Sequence, residues 1–350
     1  MGAKIKDIAR IAEVSPASVS LVLNDKPGVG EETRAKILKI AKELDYRPAK
    51  GPEPAPQSVD SICLLHIARH GHALNRDHDV FVADYIEGLG QGAKAHGMSL
   101  EIMTFKTTPI EKIIAVAKEH PAAGFIVLGT ELSAADTAAF SEIDKPLVFI
   151  DTYLELLPFD FVDMNNGDSV YTVISYLAAR GHRKIGFIGS SIETRNFKLR
   201  EEGFRASLGA LALPYDESLC FSVDSTFHGA HEDLRSILAR KPQLPTAFFC
   251  ANDIIACGCL KALTEAGIRV PEDVSLVGFD DLPLSAVVEP PMTTVRVSKS
   301  QIGKTAVQLA TARIRAENAS PPVKVLISGA LVERRSVKDL TANAENGGKQ

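Results

Sequence analysis

Residues Ile5–Asn24, IKDIARIAEVSPASVSLVLN, decide how the rest of the chain is read. Ile8, Ile11 and Ala12 recur at the spacing of one face of a short helix. Glu13-Val14 interrupts it. Ser15 can then cap a second helix whose first turn holds Pro16, a residue favoured just inside a helix start. Val19, Val22 and Leu23 return at helical spacing and are expected to turn inward, with the small Ala9 where the two helices cross. Two short helices joined by a tight turn predict a helix-turn-helix. An ordinary amphipathic helix pair at the start of a globular domain fits this stretch alone as well. The next two dozen residues favour the DNA reader: a turn-rich loop over 25–30, then a third helix over Glu31–Leu44 with Ile37, Ile40, Ala41 and Leu44 on one side, ended by Tyr46-Arg47-Pro48.

The strings I-K-D-I-A, V-S-x-x-S-V-S, V-x-E-E-T-R and L-x-Y-R-P stand in order over residues 5–48. Through them the chain resembles the LacI/GalR family of bacterial transcription regulators. The second helix would then lie in a major groove. Pro16, Ala17, Ser18, Ser20 and Leu21 would face the bases, with Lys6, Ser15 and Asn24 contacting the backbone. The family often places an arginine where Leu21 stands and polar or aromatic readers where Pro16 and Ala17 stand. Apolar side chains touch thymine methyls but make no bidentate bonds to guanine, so a less conventional operator is expected.

A length of 350 residues suits a small head plus one or two larger lobes. The net charge of −5 divides unevenly: residues 1–50 carry 10 Lys+Arg against 7 Asp+Glu, and the remainder 29 against 37. An acidic body with a mildly basic head is the asymmetry expected when only the head meets phosphate, and a single head should bind weakly. No apolar run reaches bilayer-spanning length, and the N-terminus has no signal-peptide core, so a cytoplasmic location is expected. Five cysteines (Cys63, Cys220, Cys250, Cys257, Cys259) are too few and scattered for a disulfide framework. Cys257-Gly258-Cys259 reads as a buried helix face rather than a metal pair.

The sequence predicts a helix-turn-helix head over 1–48, a Pro-rich linker over 49–60, a two-lobed effector-binding and dimerisation body over 61–337, and a disordered tail over 338–350. Pro52, Pro54 and Pro56 hold the linker extended. Typical family members carry a hinge helix with A-R-x-L chemistry there. Its absence argues against minor-groove wedging by a hinge leucine.

From Ser61 short apolar strands alternate with helices. Strands are expected over 62–67, 100–105, 124–128 and 147–150, then over 184–189, 219–223, 247–250 and 274–278. Helices are expected between them, and a tail from Thr293 through 302–314 to strands over 324–327 and 331–333 should cross back between two lobes. The fold class is therefore α/β: an all-α head followed by a doubly wound, parallel-sheet body. This looks like the type I periplasmic-binding-protein fold that the family uses as its sensor.

Ligands of open α/β sheets collect beyond the carboxyl ends of strands. The strings A-N-D, G-F-D-D, P-P-M-T-T-V and R-G-H-R-K-I-G-F-I-G match family motifs, and by position Asp151, Arg200, Asn252 and Asp280 look like the effector-contacting residues. Carboxylates, an amide and a guanidinium suit a polyol. Helix capping is the competing role for Asp151, Asn252 and Asp280, and it is the expected one for Asp253 and Asp281. A loop with His66, His70, His72, Asn75, Arg76, Asp77, His78 and Asp79 invites a metal-site reading, but hydrogen bonding at the cleft mouth is preferred, with a plain solvated loop an equal alternative. The expected function is a homodimeric repressor on a pseudo-palindromic double-stranded DNA operator, controlled by a small effector, a sugar or sugar derivative, with no metal or cofactor. A transport solute-binding protein shares the body's fold but has no use for the head. An enzyme lacks a nucleophile elbow, a phosphate loop or a metal triad here.

Overall fold

The computed structural model describes residues 5–23, 29–44, 46, 60–71, 74, 76–316, 318 and 320–341. The chain divides into two units, 1–58 and 59–350.

In the first unit, α1 (Ile5–Ala12), α2 (Pro16–Leu23) and α3 (Glu31–Glu43) enclose a small core of Ile8, Ala9, Ala12, Val19, Val22, Ile37, Ile40 and Ala41. The turn between the first two helices is closed by Val14 N–H donating to Ala9 C=O at 3.1 Å, with Glu13 in the left-handed region at φ 58°. Ser15 caps α2: its Oγ accepts from Ser18 N–H at 3.1 Å. One expectation fails here. Ile11 is 47% exposed, because the buried arc of α1 runs through Ile8, Ala9 and Ala12 and leaves Ile11 beyond its edge. Leu23, expected inside, is half-buried.

The second unit holds two lobes. In the first, β1 (Ser61–Ala68), α4 (Asp79–Ala95), β2 (Ser99–Lys106), α5 (Ile110–Glu119), β3 (Gly124–Leu128), α6 (Ala134–Ala139), β4 (Leu147–Ile150) and β5 (Asp160–Met164) follow one another. In the second, the order is α7 (Asn166–Ala179), β6 (Ile185–Ser190), α8 (Arg195–Ala210), β7 (Cys220–Val223), α9 (Phe227–Leu238), β8 (Ala247–Cys250), α10 (Asp253–Glu265), β9 (Ser275–Val277), α11 (Pro283–Val287) and β10 (Thr294–Arg296). The chain then returns through α12 (Lys299–Arg315) and β11 (Lys324–Ile327) to the first lobe, and ends on β12 (Ala330–Val332) in the second. The first sheet runs β11-β5-β4-β3-β1-β2 and the second β7-β6-β8-β9, all parallel, while β10 and β12 pair antiparallel. Three segments therefore cross between lobes, near residues 164–166, 297–299 and 327–330.

The apolar runs become strands because parallel sheets are covered on both faces; Phe125–Leu128 and Leu147–Ile150 are buried throughout. Helix starts are set by side-chain caps at Ser133, Asn165, Thr194, Thr226 and Asn252. Strand β5 has no counterpart among the expected strands. Two of its five residues are acidic, yet all five are buried, and Asp160 is neutralised by a forked Arg313 at 2.7 and 2.8 Å. Residues 338–341 are placed against the second lobe, with Lys338 N–H on Ser275 Oγ at 2.9 Å and Leu340 N–H on Arg180 C=O at 2.9 Å. Residues 342–350, the rest of the expected tail, lie outside the described residues, as does nearly all of the linker. Four of the five cysteines are buried, Cys257 and Cys259 within α10.

Helices α4 and α12 meet backbone to backbone. A Cβ on Gly88 would stand 2.3 Å from Ser300 C=O, and one on Gly303 would stand 2.8 Å from Leu89 N. Gly90, in the same helix as Gly88, faces open space. Gly88→Ala should therefore destabilise the chain by about 1–3 kcal/mol through overpacking, whereas Gly90→Ala should stabilise it by up to about 1 kcal/mol through helix propensity. Chemical denaturation of the two variants checks this, and equal shifts would refute the close contact.

A candidate effector cleft and a candidate nucleic-acid surface

All four side chains expected to meet an effector converge between the lobes of the second unit. Asp151 follows β4 with φ 56° and is 3% exposed. Its carboxylate accepts from Tyr85 Oη at 3.2 Å, from Asn196 Nδ2 at 3.1 Å and from Thr130 Oγ1. Burial raises its pKa, against the opposing Thr130 bond and the Arg200 charge. Asp280 follows β9 with φ 108°, and its Oδ1 lies 3.3 Å from Arg200. Such backbone angles cost an L-residue energy and gather at functional sites; aspartate tolerates them better than most.

Arg200, from α8, is buried. Its Nε donates to Asn166 Oδ1 at 3.0 Å and one terminal nitrogen to Ala251 C=O at 2.6 Å, while its plane lies 3.9 Å over the Phe279 ring. The charged run Arg200-Glu201-Glu202 would suit a solvated helix face, yet Arg200 is only 3% exposed. Asn252 serves both competing roles. Its Oδ1 caps α10 through Ile255 N–H at 2.9 Å, and its Nδ2 reaches His78 Nε2 of the other lobe at 3.1 Å. Burial lowers the His78 pKa, so the ring is neutral and can accept this bond.

Asp253 and Asp281 do not cap helices. Asp253, fully buried, accepts from Thr294 Oγ1 at 2.6 Å and Leu282 N–H at 2.8 Å. Burial pushes its pKa up to about 8. Burial also raises Asp281, but hydrogen bonds from Arg334 and Arg296 outweigh it and hold the carboxyl below its ordinary range.

Sequence reasoning missed Tyr85, Thr130, Asn196 and Asp163. Asp163 is fully buried, its Oδ1 accepts from Met164 N–H at 2.8 Å, and its Oδ2 has no partner. Burial and the neighbouring Asp151 charge raise its pKa well above the ordinary value. Nothing local in DFVDM distinguishes it from a surface aspartate. In the histidine loop, the hub is another buried acid, Glu131. It accepts from the backbone N–H groups of Arg69, His70, Gly71 and Leu74 at 2.7–3.0 Å. That loop leads to His78. His66 keeps Nε2 without a partner, His70 lies 3.5 Å from Glu131, and His72 and Asn75 fall outside the described residues. No group of three metal-ligating side chains occurs among the described residues.

The space lined by His78, Phe81, Asp151, Asn196, Arg200 and Asp280 is about 30 Å³, enough for ordered water but smaller than a sugar ring. Thr130 and Thr194 line both this cavity and an outer chamber of about 780 Å³ carrying Arg69, Glu131, Glu155, Arg195 and Lys198. Arg195 closes one side, donating to Tyr153 C=O at 3.1 Å and Glu155 Oε1 at 2.6 Å across the lobes. The inner cavity can order hydroxyl, amide or charged groups.

In the first unit, Lys6, Ser15 and Pro16 are exposed, while Ser18, Ser20 and Leu21 are half-buried. Ser15 Oγ is already engaged, by Ser18 N–H at 3.1 Å and Ser18 Oγ at 2.9 Å, which gives it a capping role beside any phosphate contact. Asn24 and the side chain of Ala17 lie outside the described residues.

The pH response of Asp253 has a defined sign. A carboxyl whose folded pKa is raised, here from 3.8 to about 8, favours the fold below the unfolded pKa and loses that contribution as pH rises toward 8. Asp253→Asn has no such loss, so its stability relative to the parent should climb between pH 4.5 and 8, by up to about 1.4 kcal/mol per pH unit, then level off. Parallel pH–stability curves for the two proteins would show that Asp253 is ionised in the fold.

Comparison with known proteins agrees with this geometry. Residues 4–49 match the family described as bacterial regulatory proteins, lacI family, and residues 174–337 match a periplasmic binding protein-like domain. The HTH-type transcriptional repressor PurR of Haemophilus influenzae is 29% identical over 344 residues, covering 97% of this chain and 99% of the relative. The ribose operon repressor of the same organism is 28% identical over 319 residues, covering 90% and 93%. Among solved structures, the transcriptional regulator CelR–cellobiose complex superposes with a TM-score of 0.71 at 26% identity, covering 95% of this chain and 99% of that one. The lac repressor dimer bound to operator and the anti-inducer ONPF gives 0.69 at 22% identity, covering 97% and 100%. One chain thus joins a head that matches the lacI family of bacterial regulatory proteins to a periplasmic-binding-protein-like body, the domain make-up of the repressors it resembles over nearly its whole length.

Proposed function

We propose that this regulator is a repressor whose operator affinity is set by a sugar or sugar derivative held by Asp151, Arg200, Asn252 and Asp280. The observation that carries the reading is the convergence of these four groups, from both lobes, on one buried polar cavity. Paired carboxylates accept from vicinal hydroxyls, and a guanidinium forks across two oxygens. The CelR neighbour is described in complex with cellobiose, which supports a carbohydrate.

The head contacts DNA through Lys6, Ser15, Pro16, Ala17, Ser18, Ser20, Leu21 and Asn24. Two heads of a homodimer, as in the lac repressor structure, would place recognition helices in successive major grooves about 34 Å apart. The effector shifts the balance between DNA-competent and incompetent dimers. A differential affinity of about 1–3 kcal/mol suffices, and the coupling is reciprocal.

Two measurements test this. In a thermal-shift screen against a carbohydrate panel, a cognate sugar at about 100 times its Kd should stabilise the chain by roughly 2.7 kcal/mol, a rise of about 5–10 °C. Arg200→Lys, which keeps the charge but loses the fork, should weaken that sugar at least about tenfold. A panel without any shift would refute the sugar reading. Selection from random DNA should return a pseudo-palindrome without the family's usual central C-G step. Neutralising Lys6 should reduce the salt dependence of binding by about one phosphate contact per head, uniformly across sequences. Failure to retain any DNA at low ionic strength would refute the DNA-binding role.

A further inference from the structure

Lys299 opens α12 at the second crossing between lobes, and its position is costly. A cation in the first turn opposes the helix dipole; that turn holds no acidic residue, and Ser298 makes no side-chain cap. The side chain is also 5% exposed, so its ammonium has little water. Its partners come from different lobes. Nζ donates to Asp280 C=O at 3.0 Å, lies 3.3 Å from Asp84 Oδ2 on α4, and sits 5.0 Å from the centre of the Phe81 ring.

Asp280 thus has two faces: its carboxylate meets Arg200 in the cavity and its carbonyl meets Lys299 behind it. On the other side, Phe81 lines the cavity and Tyr85 donates to Asp151, so the first turns of α4 carry three separate links to the cavity floor. Because α4 and α12 touch through Gly88 and Gly303 with no side chain between them, displacement of the α4 start is shared by α12.

From this geometry we infer that Lys299 is a coupling residue: it transmits the position of Asp280, on the second-lobe floor, to the α4–α12 pair of the first lobe. It lies outside the cavity lining. The inference rests on the reading of the cavity as the effector site for its biological use, but the mechanical link is testable without any effector.

The experiment uses the full chain and the variants Lys299→Met, Lys299→Arg and Asp84→Asn. Hydrogen exchange without ligand should show amides of 81–87 and of 279–283 exchanging at least about threefold faster in Lys299→Met and Asp84→Asn, with α5 unchanged. Unchanged exchange, or a change confined to one lobe, overturns the link. Should Lys299→Met fail to fold, Asp84→Asn, at a half-exposed carboxylate, decides it. With any sugar that shifts the parent, DNA affinity is measured with and without it. A parent ratio in the family of roughly 5–150-fold should fall to within about twofold in Lys299→Met, with sugar affinity held within about threefold and the ratio restored in Lys299→Arg. A ratio preserved in Lys299→Met overturns the coupling role, as does loss of sugar binding, which would make Lys299 part of the floor. If no sugar shifts the parent, the effector reading fails while the exchange result still decides the link.

Discussion

The body is organised around one buried guanidinium. Arg200 brings a full charge into the space between the lobes, where desolvation costs several kcal/mol unless every donor is used. Its four partners are gathered from three places: Asn166 and Met164 at the first crossing, Ala251 after β8, and Asp280 after β9. The Phe279 ring covers its face. The surrounding polar groups are set by this placement. Removing any one acceptor leaves charge uncompensated in a low-dielectric site, so the strand ends, the crossing and α8 must hold their positions together.

The acids around it exceed what one arginine neutralises. Asp151 and Asp163 are both buried, and desolvation drives both pKa values upward, helped by the Asp280 charge at Asp151 and by the Asp151 charge at Asp163. Where acceptors are used fully the direction reverses. Glu131, with four backbone donors, is held below its ordinary range despite its burial. Two settings of buried carboxyls therefore stand side by side: Glu131, whose backbone donors favour the charged form and fix a loop, and Asp151 and Asp163, whose burial favours the proton.

Much of this was legible in the residues. Uninterrupted apolar runs such as Gly124–Leu128 and Ala247–Cys250 are strands with the expected bounds, because both faces of a parallel sheet are covered. Strand-end polar residues pointed to Asp151, Asn252 and Asp280, since a polar side chain directly after a buried strand has few places to go except the crevice. What was hidden depends on contacts distant in sequence. Strand β5 escaped because Asp160 and Asp163 look solvated until Arg313 and the core are placed around them. Tyr85 and Asn196 lie in amphipathic helices where a polar group ordinarily meets water. Ile11 obeyed the helical period but lay outside the arc that α2 and α3 cover. The histidine loop showed its composition but not its anchor, since Glu131 is 57–62 residues away in the chain.

The narrowness of the inner cavity bears on timing. If the proposed effector sits there, its entry and exit would be gated by the contacts that join the lobes beside the cavity, Arg195 with Glu155 and His78 with Asn252. A site gated in that way would average over brief fluctuations in metabolite level and answer to sustained ones, a filter whose bandwidth is set by a few contacts between lobes.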